Sequence, residues 1–261
     1  MEPVAVPCPV GPAVPTGQTN AYVLGEQSPL VVDPAASVDE LDALPEIGHI
    51  ALTHHHPDHT AAVAAYAEST DATVWCRTGR NKAFEAATGV VPDRTFAHGT
   101  RIPTGDGPVR VVDTPGHAPE HVAFGVTNSA GEQLVVGDLA VANGSVAVAA
   151  PDGHLRAYLI SLRRIWAQAP ARLHPAHGPV IADPRDTCRR LIEHRLDREQ
   201  SILEAVEAGQ RTLEAITDAA YQKDIAAVRK TAMATVLAHL QKLAADGAIA
   251  WDGQRARPLA L

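Results

Sequence analysis

The sequence predicts an α+β fold, a layered sandwich of short mixed strands and helices closed by a small C-terminal block of different character. Three observations carry that prediction. Short apolar, β-branched runs recur along the chain up to Pro175, and several follow one another with no helix between them. Helical patterns separate only some of these runs. After Pro184 a long charged helical pattern takes over, and strand signals return only near the end of the sequence.

In order, the strand signals fall at Asn20–Leu24, Leu30–Val32, His49–Thr53, Thr73–Trp75, Val109–Thr114, His121–Val126, Leu134–Gly137 and Arg172–His174. Helical patterns lie at Asp58–Ser69, Gly79–Ala87 and His154–Gln168, with Pro and Gly at the junctions. Consecutive strands fit a mixed sheet sandwich better than a strictly alternating doubly wound sheet. Thr187–Ala208 reads as one helix with an apolar stripe through Leu191, Ile192, Leu196, Ile202, Leu203 and Val206, and Gly209 stops it. A helix near Thr212–Tyr221, a short one near Ile225–Val228 and a third over Thr231–Asp246 follow. Two short strands, Ile249–Trp251 and Arg255–Leu259, then flank the turn Asp252-Gly253. That order is the order of a winged helix. The expected division is a catalytic domain over 1–183, a connecting helix over 184–210 and a winged-helix-like domain over 211–261.

Composition narrows the class. The chain has 261 residues, 46% hydrophobic and 20% charged, the profile of a soluble globular protein. Its three cysteines, Cys8, Cys76 and Cys188, are far apart and form no CxxC pattern, so a disulfide framework and a cysteine zinc knuckle are both unexpected. A reducing cytoplasm is the expected setting. The N-terminus does not read as a signal peptide, and the longest apolar run, Leu134–Ala150, is broken by Asp138 and two glycines, so no membrane span is expected. A formal net charge of -8 disfavours long-range attraction of nucleic acid. The block from Arg211 to Leu261 carries seven Lys/Arg against five Asp/Glu, too small an excess for a nucleic-acid footprint. A structural, lid-forming or dimerising role suits it better, and a homodimer is one expected form.

The informative anomaly is the run Thr53-His54-His55-His56-Pro57-Asp58-His59 behind the apolar stretch Ile50–Leu52. His54 and His56 are two residues apart, so in extended chain they project to one side and reach one ion. Pro57 suits the first turn of a helix, which sets Asp58 and His59 at that helix start. His117 in Asp113-Thr114-Pro115-Gly116-His117, Asp138 after Val135-Val136-Gly137, and His177 in His174-Pro175-Ala176-His177-Gly178 each leave a strand in the same way. Ligand sites in layered α/β folds gather at strand ends, so one rim could collect them all. His55, of opposite parity, is expected to pack away from the metals. His121 reads as supporting or structural, and His174 as structural.

These motifs, in this order, resemble the series of the metallo-β-lactamase superfamily, and the first also resembles that of glyoxalase II. The resemblance implies an αββα sandwich. It further implies that His54, His56 and His117 hold one divalent ion, that Asp58, His59 and His177 hold a second, and that Asp138 bridges the two. Zinc is the expected metal. Thr19–Gly25, Tyr158 with Ser161-Leu162, His177–Ile181, His194-Arg195 with Arg198-Glu199 and Ile202-Leu203, and Ala238–Leu240 with Leu243 and Gly247 resemble the beta-lactamase-like protein 2 family, across nearly the whole chain. Departures are Ala61-Ala62, where many relatives carry a glycine pair, and Pro57, where many carry a charged or aromatic residue.

The implied activity is hydrolysis by a metal-bridging hydroxide, with Asp58 and Asp138 as catalytic carboxylates. The expected substrate is an ester or thioester, small or carrier-bound, on an acyl carrier or coenzyme A. The competing reading is a single-strand RNA endonuclease using Arg77, Arg80 and Lys82 at the rim. A mononuclear iron oxygenase and a protein that has lost catalysis rank below both. Antibiotic hydrolysis is disfavoured, because the best-known β-lactamases of the superfamily tend to use a cysteine where this chain has Asp138 and lack the histidine at His59.

Overall fold

The computed structural model describes residues 1–12, 14, 16–222 and 224–259. Lys223 of the charge count and the last two residues of the expected C-terminal domain lie outside them. The chain runs β1 (Val4–Pro9), β2 (Gln18–Leu24), β3 (Leu30–Val32), α1 (Asp39–Asp42), β4 (His49–Ala51), α2 (Pro57–Thr60), α3 (Val63–Ser69), β5 (Thr73–Arg77), α4 (Asn81–Thr88), β6 (Arg94–Phe96), β7 (Arg101–Ile102), β8 (Val109–Asp113), β9 (Val122–Asn128) and β10 (Gly131–Gly137). It continues with α5 (Leu155–Gln168), β11 (Arg172–Pro175), α6 (Pro184–Glu207), α7 (Leu213–Ala220), a 3-10 turn (Ala226–Val228), α8 (Arg229–Ala245), β12 (Ile249–Trp251) and β13 (Ala256–Pro258).

Strands β1 to β6 form one sheet in sequence order, antiparallel from β1 to β3 and parallel from β3 to β6. The second sheet has the order β11-β10-β9-β8-β7 and is antiparallel except for the parallel pair β10 and β11. Side-chain alternation makes these sheets into layers. In the first sheet Tyr22, Leu24, Leu30, Val32, Ala51, Trp75 and Phe96 face inward, and they pack on Val109, Val111, Val122, Phe124 and Val135 of the second. Their neighbours in each strand, Val23, Val31, Ile50 and Val74, face outward, beneath Leu41, Val63, Tyr66 and Phe84 of the helices. On the far side Val112, Ala123, Leu134 and Val136 lie beneath Leu155, Tyr158, Leu162 and Leu191 of α5 and α6. The result is the αββα sandwich. Strands covered on both faces show continuous apolar runs, which is why they read clearly in the sequence.

The C-terminal segment keeps the predicted order of helix, short helix, helix and hairpin. Its apolar residues Ile216, Val236, Leu240, Leu243 and Ile249 pack on Ile202, Ala205 and Val206 of α6. No helix among the described residues is long and apolar enough to cross a membrane. Cys8, Cys76 and Cys188 are buried and free.

Several boundaries differ from expectation. The single helix predicted over Asp58–Ser69 is two, α2 and α3, because the Ala62 amide bonds to the Pro34 carbonyl at 3.0 Å and breaks the ladder there. The strand predicted to reach Thr53 stops at Ala51, since the Thr53 amide donates to the Asp33 carboxylate at 2.7 Å. Strand β1 was not anticipated. Pro7 and Pro9 mask an edge strand whose Val6 and Cys8 alone are buried. The two- and three-residue strands β6 and β7 and the single-turn α1 are too short to show a period.

Arg77 at the end of β5 and Asp113 at the end of β8 tie the two sheets together through a bidentate pair at 2.5 and 2.8 Å. The Arg77 guanidinium holds the Asp113 carboxyl below its ordinary range. Both side chains are about a quarter exposed or less, which tempers the pair's worth. Asp113→Asn is expected to cost about 1–2 kcal/mol of stability at neutral pH. A lowered folded pKa means the contribution is complete above the ordinary aspartate value of about 3.9 and fades as the pH falls through the lowered one. Urea unfolding of both proteins at pH 7 and pH 3 should therefore show a gap that narrows in acid. An equal gap at both pH values would show that the pair does not act through this charge.

Candidate metal centre

All the metal-capable residues picked out in the sequence lie along one rim. The C-terminal end of β4 leads into the histidine run, that of β8 into His117, that of β10 into Asp138 and that of β11 into His177, and on the same rim the end of β3 leads into a further carboxylate, Asp33. His56 is the N-cap of α2 in extended conformation, with Pro57 in its first turn, so the chain turns sharply between His56 and Asp58. His54 and His56 project from the extended part, and Asp58 and His59 from the first helical turn.

Three imidazoles converge. His56 Nδ1 lies 2.9 Å from His54 Nε2 and 2.9 Å from His117 Nε2. The other nitrogens of two of these rings decide what the inner ones carry. His117 Nδ1 donates to the Ala147 carbonyl at 2.7 Å. Thr53 Oγ1 donates to Asp33 Oδ2 at 2.7 Å and so accepts from His54 Nδ1 at 3.1 Å. When neutral, both rings turn bare Nε2 lone pairs toward His56 Nδ1, which carries at most one hydrogen. Two acceptors around one such nitrogen suit a cation better than a hydrogen bond.

The second group is built alike. His59 Nδ1 donates to Asp33 Oδ2 at 2.9 Å, so its Nε2 faces Asp58 Oδ2 and Asp138 Oδ1, each 3.8 Å away. His177 Nδ1 faces the Gln18 carbonyl at 3.2 Å, and its Nε2 lies 3.5 Å from Asp58 Oδ2 and 3.3 Å from Asp138 Oδ1. Asp138 Oδ2 meets His117 Nε2 at 3.5 Å. One oxygen of Asp138 thus faces each group. His59 Nε2 and Asp138 Oδ1 are buried without a hydrogen bond, a costly state that a bound cation would relieve. The donor atoms of His54, His56 and His117, of His54, His59 and Asp138, and of Asp58, His59 and His177 each fall within 4.8 Å of one another. Imidazole and carboxylate together fit zinc and similar divalent ions.

The two halves differ electrically. Burial pushes the His54 imidazole well below its ordinary value. In the other half burial again opposes charge, but the carboxylates of Asp33, Asp138 and Asp58 together overcome it and raise His59. The Asp138 and Asp58 carboxylates likewise overcome burial and push His177 up to about 10. Burial would raise Asp138, yet the imidazoles around it hold its carboxyl well below the usual range.

His55 points elsewhere. Its amide donates to Glu120 at 3.1 Å, and its ring stands edge-on to Phe84. His121 bonds Thr114 Oγ1 through Nδ1 and accepts the Asp138 amide at Nε2, 3.1 Å away, and burial drives it down to about 3. That neutral ring is a backstop for the Asp138 backbone. His174 bonds Gln133 at 2.7 Å beneath the rim. Gly116 admits no side chain: at φ +138 a Cβ would stand 2.3 Å from the Tyr158 backbone.

Sequence reasoning missed Asp33. It is 1% exposed and accepts from the Thr53 amide, Thr53 Oγ1 and His59 Nδ1. A signal was available, since Leu30-Val31-Val32-Asp33-Pro34 has the same form as the segment that revealed Asp138, an apolar run ending in aspartate.

A cavity of about 480 Å3 opens onto Asp58, His117, Asp138 and His177. Its walls are mainly apolar, with Val141, Val146 and Pro179 from the sandwich and Val228 and Thr231 from the C-terminal segment. Among the described residues no Lys or Arg lines it.

Residues 14–177 match the family model described as the metallo-beta-lactamase superfamily. A beta-lactamase-like protein 2 homolog of Drosophila melanogaster is 29% identical over 88% of this chain and 83% of its own length. An atrochrysone carboxyl ACP thioesterase of Aspergillus novofumigatus is 25% identical over 90% of this chain and 76% of its own. The crystal structure of a metallo-beta-lactamase family protein from Thermus thermophilus superposes with a TM-score of 0.79 at 23% identity, covering 98% of each chain.

Because Asp33 orients His59 and, through Thr53, His54, Asp33→Asn should weaken Zn2+ binding about 10- to 100-fold in competition with a chromophoric chelator. Wild-type affinity in that variant would show that the carboxylate does not position these rings.

Proposed function

This chain belongs to the metallo-beta-lactamase superfamily and is a hydrolase of that fold; from that premise we propose that it cleaves esters or thioesters of acyl groups, including carrier-bound ones, at a centre of two divalent ions. In this reading His54, His56 and His117 hold one ion, Asp58, His59 and His177 hold the other, and Asp138 is shared. Zinc is the ion proposed. Residues 1–183 are read as the catalytic domain, 184–210 as a connecting helix and 211–261 as a winged-helix-like module.

The observation that carries the substrate class is the cavity. It opens on four of the proposed ligands, its walls are mainly apolar, and no described Lys or Arg lines it. A phosphodiester chain calls for cations along its path. Of the basic residues considered for that role, Arg77 is bound bidentately to Asp113, and Arg80 and Lys82 are exposed at the start of α4. The name of the Aspergillus relative, an acyl-carrier thioesterase, points the same way.

Divalent ions held at this centre would lower the pKa of water toward neutrality and polarise the bond under attack. The chain's own groups supply the rest. Asp138, one oxygen toward each half, orients the attacking water by accepting its hydrogen bond. Asp58 accepts from the same water on the cavity side. His121 keeps Asp138 in place by accepting its amide. The apolar walls hold the acyl chain and exclude bulk water from the reacting carbon. There the bond from water oxygen to carbon forms, the bond to the leaving sulfur or oxygen breaks, and the released proton goes to that leaving atom.

Metal analysis followed by assays on acyl thioesters and on labelled single-stranded RNA tests this reading. Thioester turnover is expected in wild type and should fall by more than about 100-fold in both His117→Ala and Asp138→Ala, beyond the usual cost of losing a group that merely supports a ligand. RNA cleavage that disappears in both variants while thioesters are untouched would overturn it. A second outcome concerns the wall. Val228→Asp, which sets a charge against the apolar cavity, should raise KM for a long-chain thioester about tenfold with little change in kcat.

A further inference from the structure

From Asp138 to His154 the chain forms neither helix nor strand. This irregular stretch nonetheless carries a proposed ligand at its start and, at Ala147, the carbonyl that orients His117. Carbonyls in such a segment must find donors outside a ladder, and five besides that of Ala147 find side chains. Tyr158 Oη donates to the Leu139 carbonyl at 2.8 Å. Arg190 donates to the carbonyls of Val141 at 2.8 Å, Ala142 at 3.1 Å and Gly144 at 2.5 Å. Arg195 donates to the carbonyl of Val146. Both arginines stand on α6, and the Arg195 guanidinium lies over the Tyr158 ring, 5.9 Å from its centre. At its far end the segment is pinned to α8 by the Ala150 amide, which donates to the Ala234 carbonyl at 3.0 Å.

Arg195 is an expensive residue to keep here. It is 3% exposed, no described carboxylate forms an ion pair with it, and its Nε has no hydrogen-bond partner. A hydrophobic side chain of similar volume would remove the cost of burying an unpaired charge, set against the cost of a Val146 carbonyl left without that donor. What such a side chain would lack is a donor for Val146, the residue next to the carbonyl that sets the His117 ring.

We propose that Arg195 and Arg190 are positioning residues for the metal centre. They hold the 141–146 segment so that the Ala147 carbonyl stays against His117 Nδ1 and Val141 and Val146 stay in the cavity wall. The inference rests on the metal-centre reading above. It makes α6 a brace for the metal centre as well as the element on which the C-terminal segment packs.

Zn2+ affinity of the purified full chain, measured by chelator competition beside thermal melting of the metal-free protein, tests it. Arg195→Met keeps the volume and removes the donors. It is expected to lose about 10- to 100-fold in Zn2+ affinity with only a small shift in melting temperature, and Arg195→Lys, which restores one donor, should recover most of that affinity. Ile202→Ala, also on α6 but buried among C-terminal residues, should melt lower and bind Zn2+ like wild type. Affinity in Arg195→Met within about twofold of wild type would overturn the proposal, as would an equal loss in Ile202→Ala. If Arg195→Met does not fold, Arg190→Met decides: weaker Zn2+ binding supports the clamp and unchanged binding overturns it. Wild-type protein that takes up no Zn2+ overturns the metal reading itself, and this inference with it, a result distinct from any difference between variants.

Discussion

A carboxylate buried at the end of β3 is the contact from which the rest of the metal centre follows. Asp33 is almost inaccessible and accepts from three donors, the Thr53 amide, Thr53 Oγ1 and His59 Nδ1. Those bonds stop β4 at Ala51 and free the chain to turn into α2. They also fix two tautomers, because a ring that donates through Nδ1 presents a bare Nε2 to the opposite side. His59 is set directly and His54 through Thr53, one in each half of the donor cluster. Without this carboxylate the histidine run would keep its composition and lose the direction of its lone pairs.

Two further imidazoles of the cluster, His117 and His177, follow the same rule with backbone carbonyls in place of Asp33. Ala147 sets His117, and Gln18 faces His177. Each acceptor belongs to a different part of the chain, so the centre depends on the two sheets meeting in register. The sandwich core and the bidentate Arg77–Asp113 pair between sheet ends both serve that register. Function is coupled to packing here because an imidazole with an undefined tautomer is a poor ligand.

The cavity brings in the C-terminal segment. Val228 and Thr231 complete a wall whose other side is the irregular stretch after Asp138. In the proposed function, substrate selection and metal geometry therefore meet in one loop, which α5 and α6 hold by side-chain donors. Under the same proposal, a mainly apolar lining with no Lys or Arg among the described residues favours an acyl group over a polyanion on ordinary electrostatic grounds. That preference arises from where side chains gather in space, since neither Val228 nor Val141 has any distinguishing sequence context.

The residues whose donor atoms cluster along the rim could be picked out in the sequence because each lies in a segment that leaves an apolar strand and contains Pro or Gly, so local pattern and chemistry coincide at His54, His56, Asp58, His59, His117, Asp138 and His177. The buried strands of both sheets were legible for a related reason: strands covered on two faces must be continuously apolar. The break at Ala61-Ala62, the edge strand with Pro7 and Pro9, and the role of Asp33 were not, since each is decided by a partner distant in sequence or by an edge position that carries no period. The sequence by itself determined which atoms could bind a metal and which faces had to be buried, because residue type and periodicity are local properties. Only the tertiary structure decided which nitrogen of each ring faces inward, that Asp138 turns one oxygen to each half, and that the histidine run opens onto an apolar cavity, because these depend on contacts between segments that the chain order leaves far apart.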